Sequence, residues 1–428
     1  MDGRKNTPWI ALGNAFVLVS VAALTLVLTA LLLARVGMPF TEAYTVSMIA
    51  CIAGTLAVSR KERTLIALPS PAITAWLVYE EIIAHGLSWQ EGLGIAAVIS
   101  LIGAFLTRTK CIHSLTDALP PIVRIGLVLS LGVAMFLTAA LYARILLPSP
   151  WALTMGGTLS DPLTYFTLMG ILLVLLLCAR NVSAALPLGM LAVGVLTWAE
   201  GFWEIPAAPF LEPELSTAAF ALVLPQSDLL SAAALGLTLL LALMIESTAV
   251  LTARGDAADQ RSTFTRLFAV SGCMSFLGAF PLTVAPISAA LPEGGEEHTI
   301  AGIPLTALLS ALLLLLLLPC AILMQALADF PAVPAIALAV MGLLLLMRAL
   351  CMLRDVRDFT LREGAVIVVF LLAAYDIKTG LTAALLMWVL LTASRGEYRH
   401  ISHSTWGLTA LLVTFFLLKW ILIEAFRL

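Results

Sequence analysis

Charge is what this chain has least of. Only 11% of its 428 residues are Asp, Glu, Lys or Arg, and the formal net charge is −3. Soluble globular proteins carry about 25% charged residues. The deficit excludes a soluble enzyme, a disordered chain and a nucleic-acid binder. Histidine is also scarce: the five present lie in connecting segments or near helix ends, without metal-ligand spacing. The six cysteines (Cys51, Cys111, Cys178, Cys273, Cys320, Cys351) are isolated and form no CxxC pair. They read as small apolar fillers or free thiols, not as disulfides or a metal site. No glycine loop of the phosphate-binding kind occurs, so this chain alone is not expected to use ATP. Gly294-Gly295 is a turn, and the neighbouring Glu293, Glu296, Glu297 and His298 read as an acidic turn in preference to a metal site. No cofactor, no metal and no enzymatic activity are expected.

What is present is apolar. Hydrophobic residues make up 61% of the chain, and the mean hydropathy is +1.06. Runs long enough to cross a bilayer fill almost the whole length. Runs such as Ala307 to Leu318 exclude a transmembrane β-barrel, whose strands alternate over short stretches. The first run, Ile10 to Leu33, is too long for a cleaved signal peptide. The expectation is an all-α polytopic membrane protein in a lipid bilayer, with function inside the membrane.

Hydropathy and helix breakers place spans at 10–34, 42–58, 66–86, 91–107, 120–146, 163–180 and 183–203. A polar, proline-rich stretch from Glu204 to Asp228 follows. The second half reads 229–253, 264–279, 280–292, 302–327, 331–350, 363–377 and 379–394, with an additional run at 404–426. With the N-terminus in the cytoplasm, Arg60, Lys61, Arg63, Arg108, Arg254, Arg261, Arg354 and Arg395 fall on the cytoplasmic side. The outer connections hold mainly acids, such as Glu80, Glu200, Glu212 and Asp228. That is the positive-inside pattern.

Seven crossings invert the second half relative to the first. About fourteen segments then form two inverted seven-segment repeats, the logic of secondary transporters, in which proline-interrupted segments mark the binding site. The third segment of each half carries such an interruption: Leu68-Pro-Ser-Pro-Ala72, and Phe280-Pro-Leu-Thr-Val-Ala-Pro286. Each proline removes an N–H and clashes with the previous turn. A proline pair either kinks a packed helix or breaks it, and two pairs at equivalent places favour breaks. Bare backbone at membrane depth survives only inside protein or beside a watery cavity.

Nearly all charges fall near segment ends. The exception is Glu246, within Leu241-Ala-Leu-Met-Ile-Glu-Ser-Thr-Ala-Val250. An ionisable group there costs at least ~2.5–3.5 kcal/mol on insertion scales. Burial disfavours the charged form of a carboxyl, which suits a proton carrier; a structural glutamic acid bonded to a neighbouring helix is the alternative. Ser247 and Thr248 either serve a substrate or bond back to their own helix. Asp376 and Lys378, at the Tyr375-Asp-Ile-Lys-Thr-Gly380 break, read as a solvated outer turn, as do Glu80 and Glu81.

The stretch Ile66-Ala-Leu-Pro-Ser-Pro-Ala-Ile-Thr-Ala-Trp76, followed by Gly86-Leu-Ser-Trp-Gln-Glu-Gly-Leu-Gly94, resembles the pattern ALAPGMGLNAYF…G-SWQ-ALG. The stretch Ala118-Leu-Pro-Pro-Ile-Val-Arg-Ile-Gly126 resembles the block that follows it. Together they resemble nucleobase permeases of the xanthine/uracil class, in the adenine/guanine/hypoxanthine branch. The likeness runs from about Gly37 to Ser394.

The resemblance implies fourteen segments in two inverted repeats, with a strand followed by a half helix in segments three and ten. It implies a core domain (10–107 and 229–327) and a gate domain (120–203 and 331–394), with 404–426 left over as an additional C-terminal segment. It also implies import of a purine or related heterocycle with protons, a location in a bacterial inner membrane, and allows a homodimer through the gate domain. The family's acidic position on segment eight is Glu246 here, in Met244-Ile-Glu-Ser247. On segment ten Gly278, Pro281, Thr283 and Ser288 match, while Ala285 takes an aromatic position and Ile287 the second acidic one. On segment three Thr74 replaces an asparagine, and Ser70 and Ala72 replace glycines.

The candidate substrate-binding residues are therefore Ser70, Ala72, Ile73, Thr74, Trp76, Glu246, Ser247, Phe280, Thr283, Ala285, Pro286, Ile287 and Ser288, with Glu246 as the proton-coupling group. Trp76 and Phe280 are the rings available for stacking on a base. An anion carrier on the same fold is the second expectation, because half-helix N-termini favour anions and Ile287 removes a carboxylate. A non-transporting paralogue is the third.

Overall fold

The computed structural model describes residues 8–60, 63–109, 118–147, 155–156, 158–225, 229–255, 260–291, 299–356 and 360–426, with 155–156, 229–231, 400 and 418–426 described by backbone alone. The acidic turn at 293–298 and Cys111 lie outside the described residues.

The first half of the chain forms α1 (Pro8–Ala34), α2 (Phe40–Val58), β1 (Ala67–Pro69), α3 (Pro71–Trp76), α4 (Trp89–Arg108), α5 (Pro121–Tyr142), α6 (Pro162–Ala179) and α7 (Ala185–Ala199). The second half forms α8 (Leu229–Ala253), α9 (Gln260–Ser275), a strand at Leu282–Val284, α10 (Leu305–Leu317), α11 (Ala321–Asp329), α12 (Ala332–Arg354), α13 (Leu361–Leu372) and α14 (Ile377–Ser394). A last helix, α15 (His403–Phe426), follows. Among the described residues nine helices are long and apolar enough to cross a membrane. The protein is a helical, polytopic membrane protein.

Several expected spans are divided by their own breakers. The span 302–327 bends through a short 3-10 stretch, Leu318–Cys320, because Pro319 cannot continue α10. The span 120–146 stops being helical at Tyr142, and the chain enters a two-stranded hairpin, β2 (Leu146–Leu147) with β3 (Met155–Gly156). A second small hairpin pairs Thr299–Ile300 with Ile303–Pro304. The fold is thus not purely helical.

The third strand-pair sits in the core. Counting β4 as Leu282–Val284, β1 and β4 run antiparallel, with Ala67 opposite Val284, Leu68 opposite Thr283 and Pro69 opposite Leu282. All six strand residues are buried. After β1 the chain enters α3, with Pro71 in its first turn, and continues as a π-helical stretch, Leu77–Ala84. After β4 it enters only a 3-10 turn, Pro286–Ala290. Gly54 of α2 lets the strands lie close: a Cβ there would stand 2.6 Å from Leu282 Cδ1 and 3.0 Å from Ala67 Cβ.

The polar stretch between the halves is tied down at several points between Leu211 and Val223. The buried Glu42 of α2 accepts hydrogen bonds from Thr217 N (2.9 Å), Thr217 Oγ1 (2.8 Å), Ala218 N (2.8 Å) and Ser216 Oγ (3.2 Å). Backbone bonds then run from Leu211 to Pro319, from Phe220 to Phe276 and from Val223 to Gln90. Every one of these anchors falls in the ranges 10–107 and 229–327. At Gly94 of α4 a Cβ would meet Val223 O at 2.1 Å, so only glycine admits the strap there.

Candidate functional site

Breaking a helix inside a membrane leaves backbone groups that must find partners. At the β1–β4 crossing short polar side chains supply them. Thr55 Oγ1 accepts from Ala67 N (3.2 Å), and Ser288 Oγ accepts from Ile66 N (2.9 Å). Ser271 Oγ accepts from Leu282 N (3.0 Å), and Ser247 Oγ from Val284 N (3.2 Å). Thr29 Oγ1 donates to Pro69 O at 3.3 Å. The buried Arg254, just past α8, donates through Nη1 to Thr64 O (2.7 Å) and Ser288 O (2.9 Å). One guanidinium so joins the approach to β1 with the turn after β4.

Glu246 lies on α8 beside this crossing and is 9% exposed. The hydroxyls of Ser70 and Thr283, one from each break, stand within interaction range of its carboxyl. Thr283 Oγ1 also reaches Leu68 O at 3.4 Å, whereas the buried Ser70 Oγ makes no regular hydrogen bond among the described residues. A carboxyl, a spare hydroxyl and a second hydroxyl therefore converge at one place.

That place opens on a cavity of about 340 Å³. Glu246, Ala242 and Thr238 line it from α8, and Ala72, Ile73 and Trp76 from α3. Tyr375, Asp376 and Lys378 line it from the α13–α14 junction, and Phe415 and Phe416 from α15. Lys378 Nζ stands 4.0 Å from the centroid of the Trp76 ring, a cation–π distance.

The structure brings the sequence-selected residues to three places. Ala72, Ile73, Trp76 and Glu246 face the cavity, and Ser70 and Thr283 stand behind Glu246. Ser247 and Ser288 bond backbone of the breaks. Ala285, Ile287 and Thr74 are buried and Pro286 half-buried, and none of the four lines the cavity. Phe280 is buried and packs on α4, where a Cβ at Gly92 would lie 3.7 Å from its ring. The ring offered to the cavity by the breaks is thus Trp76.

Two groups stand elsewhere than the sequence places them. Asp376 is exposed and caps α14, as a solvated turn should. Lys378, two residues on, instead lies over Trp76. The second is α15, which reads only as surplus apolar sequence, although its spacing of apolar residues at 408, 412, 415 and 416 marks one helix face. Among the described residues no cluster of three or more His, Cys, Asp or Glu is placed to hold a metal ion.

No known protein-family model matches the chain. Individual proteins do. It is 27% identical over 193 residues to the guanine/hypoxanthine permease PbuO of Bacillus subtilis, covering 43% of this chain and 45% of that one. It is 23% identical over 257 residues to the adenine permease AdeP of Escherichia coli, covering 58% and 57%. In sequence, the chain is similar to proteins named as nucleobase permeases. The matches span about half the length of these relatives, and both are named as permeases, not enzymes. Among solved structures, the transmembrane domain of the cyanobacterial bicarbonate transporter BicA superposes with a TM-score of 0.56 at 16% identity, covering 87% of this chain and 97% of that one. The murine anion transporter Slc26a9 in its inward-facing state superposes with a TM-score of 0.52 at 11% identity, covering 92% and 69%. At such identities the likeness is one of fold.

Proposed function

We propose that the protein is a secondary active transporter that imports a purine nucleobase or related heterocycle with protons by alternating access. The observation that carries this reading is Glu246, backed by the hydroxyls of Ser70 and Thr283, lining a cavity that Trp76 also lines. A protonated carboxyl offers one donor and one acceptor, which pairs with the N–H and ring-nitrogen edge of a base. Trp76 supplies an apolar face for the ring. Ile287 takes the position at which the resemblance implies a second carboxylate, so in this reading Glu246, the acid within the α8 span, binds and releases the proton.

In this reading the halves are inverted seven-segment repeats in a bacterial inner membrane, with the N-terminus in the cytoplasm. The ranges 10–107 and 229–327 form the core and 120–203 and 331–394 the gate. The strap on Glu42 supports that division, because it fastens core elements only and leaves the gate free to move.

The test is uptake of labelled purines into proteoliposomes under a pH gradient. Glu246→Gln keeps a hydrogen-bonding side chain but loses the titrating proton. Gradient-driven accumulation is expected to vanish while base exchange persists. Undiminished accumulation would remove Glu246 as the proton carrier.

One observation favours a second reading, an anion carrier: Lys378 supplies a cation inside the same cavity. Glu246, Glu80 and Asp376 on its walls oppose it. A thermal-shift screen of purines against carboxylates and inorganic anions separates the two.

A further inference from the structure

Helix α15 lies beyond the fourteen segments on which the transport reading rests. Its structure is not that of a spare helix. Leu408 and Leu412 are 6% and 2% exposed, while Trp406, Leu411 and Leu417 on its other face are 44%, 50% and 52% exposed. Its first turn is fixed by Thr405 Oγ1, which donates to Ala118 O at 2.8 Å just ahead of α5. Leu408 and Leu412 then meet Leu241 and Ile245 of α8 and Leu381 of α14 around a void of only about 20 Å³. One turn further, Leu412, Phe415 and Phe416 become part of the wall of the larger cavity, which Trp76 and Glu246 also line. The two phenylalanine rings meet edge to face, 5.7 Å apart at 84°.

We propose that α15 is a working wall of the transport cavity, and that Phe415 and Phe416 set the size of the solute accepted against Trp76. The cavity, at about 340 Å³, is near the small end of ligand pockets, which span roughly 300–1,000 Å³. In an apolar pocket one methylene changes selectivity by about 10–200-fold, so trimming a wall ring admits bulkier solutes. The chemical class this implies rests on the nucleobase reading: flat heterocycles bare of large N-alkyl groups.

The test uses the full chain in proteoliposomes. Labelled-purine uptake is competed with the parent base and with its N-methyl, N-ethyl and N-benzyl forms. Phe416→Ala and Phe415→Ala are expected to improve competition by the benzyl form at least tenfold relative to the parent base, and Phe416→Trp to worsen it. A misfolded variant cannot gain affinity, so the gain identifies the wall. Equal shifts for all analogues, or none, overturn the proposal. A second readout needs no solute. With the native cysteines replaced by alanine, Ala242→Cys places a thiol on the α8 wall. Labelling by thiol reagents of increasing bulk should accelerate at least tenfold for the bulkiest when Phe416→Ala is added. An unchanged size dependence overturns the wall. Faster labelling without purine uptake by the parent chain overturns the nucleobase reading and leaves the wall standing.

Discussion

The two halves of the chain meet in two different ways. Where β1 crosses β4, bare backbone meets bare backbone, and directed hydrogen bonds cross between the halves: Ile66 N donates to Ser288 Oγ, Ala285 N to Ile66 O and Arg254 Nη1 to Thr64 O, while Thr55, Ser247 and Ser271 accept from strand N–H groups of their own half. Where α5 crosses α12, the helices touch through glycine. A Cβ at Gly342 would stand 2.7 Å from Phe136 N and 2.8 Å from Gly132 O, and one at Gly132 3.0 Å from Leu346 N. Lipid offers no hydrophobic drive between helices, so close backbone approach through small residues supplies the attraction instead. The first junction fixes atoms, as a binding site requires. The second fixes only a distance, and a surface without directed bonds is one along which helices can rotate. Transport by alternating access would need both; small polar residues dominate the first junction, with Gly54 giving the strands room, and glycines dominate the second.

The sharpest way to break this contrast is to fill the glycine contact. In Gly342→Leu the new side chain meets α5 backbone, which cannot move aside as a flexible side chain would. Overpacking of this kind costs about 3 kcal/mol. The expected result is a large fall in melting temperature in detergent and loss of a monodisperse elution peak. A variant that melts with the parent would show that α5 and α12 do not touch there.

The polar junction should fail more gently and more locally. Ser288→Ala removes the acceptor of Ile66 N, leaving a buried donor unpaired at about 1–3 kcal/mol. Because Ile66 leads into β1 and Ser70, the loss should reach the site. Uptake is expected to fall through a raised KM, with melting lowered less than in Gly342→Leu. Ser288→Thr keeps the hydroxyl and should restore uptake, which a purely steric role for the position would not allow.

Much of this architecture is legible in the sequence, for physical reasons that differ by element. Two prolines in three residues, Pro69 and Pro71, cannot share a regular helix, so the break announces itself. Glu246 stands out because a lone acid amid Leu-Ala-Leu-Met-Ile has no solvent to explain it. The partners of such residues are another matter. Glu42 sits near a span end, where an acid reads as solvated, yet it holds a strap some 175 residues downstream. Lys378 belongs to a turn that composition assigns to water, yet its ammonium lies over Trp76. Phe280 and Trp76 are equivalent as rings in the sequence, and only packing turns the first onto Gly92 and the second into the cavity. Local chemistry specifies where a helix must stop. It does not specify which distant surface meets the exposed end.

The smallest effect tests how far the hydrogen-bonded junction is divided among its members. Ser247 Oγ accepts from Val284 N at 3.2 Å, the long end of the range for an N–H donor. It sits one residue from Glu246 but serves the backbone of β4 rather than the cavity. Side-chain hydrogen bonds between membrane helices average about 0.6 kcal/mol, so Ser247→Ala should lower melting only slightly. If Ser247 instead touched the solute, its loss would raise KM well beyond that small change in stability. The two readings therefore separate on a plot of KM against melting temperature for Ser247→Ala and Ser288→Ala together. A Ser247→Ala point near the parent on both axes keeps the residue in the scaffold. A point displaced in KM alone moves it into the site, and the junction then has one directed bond fewer than its geometry suggests.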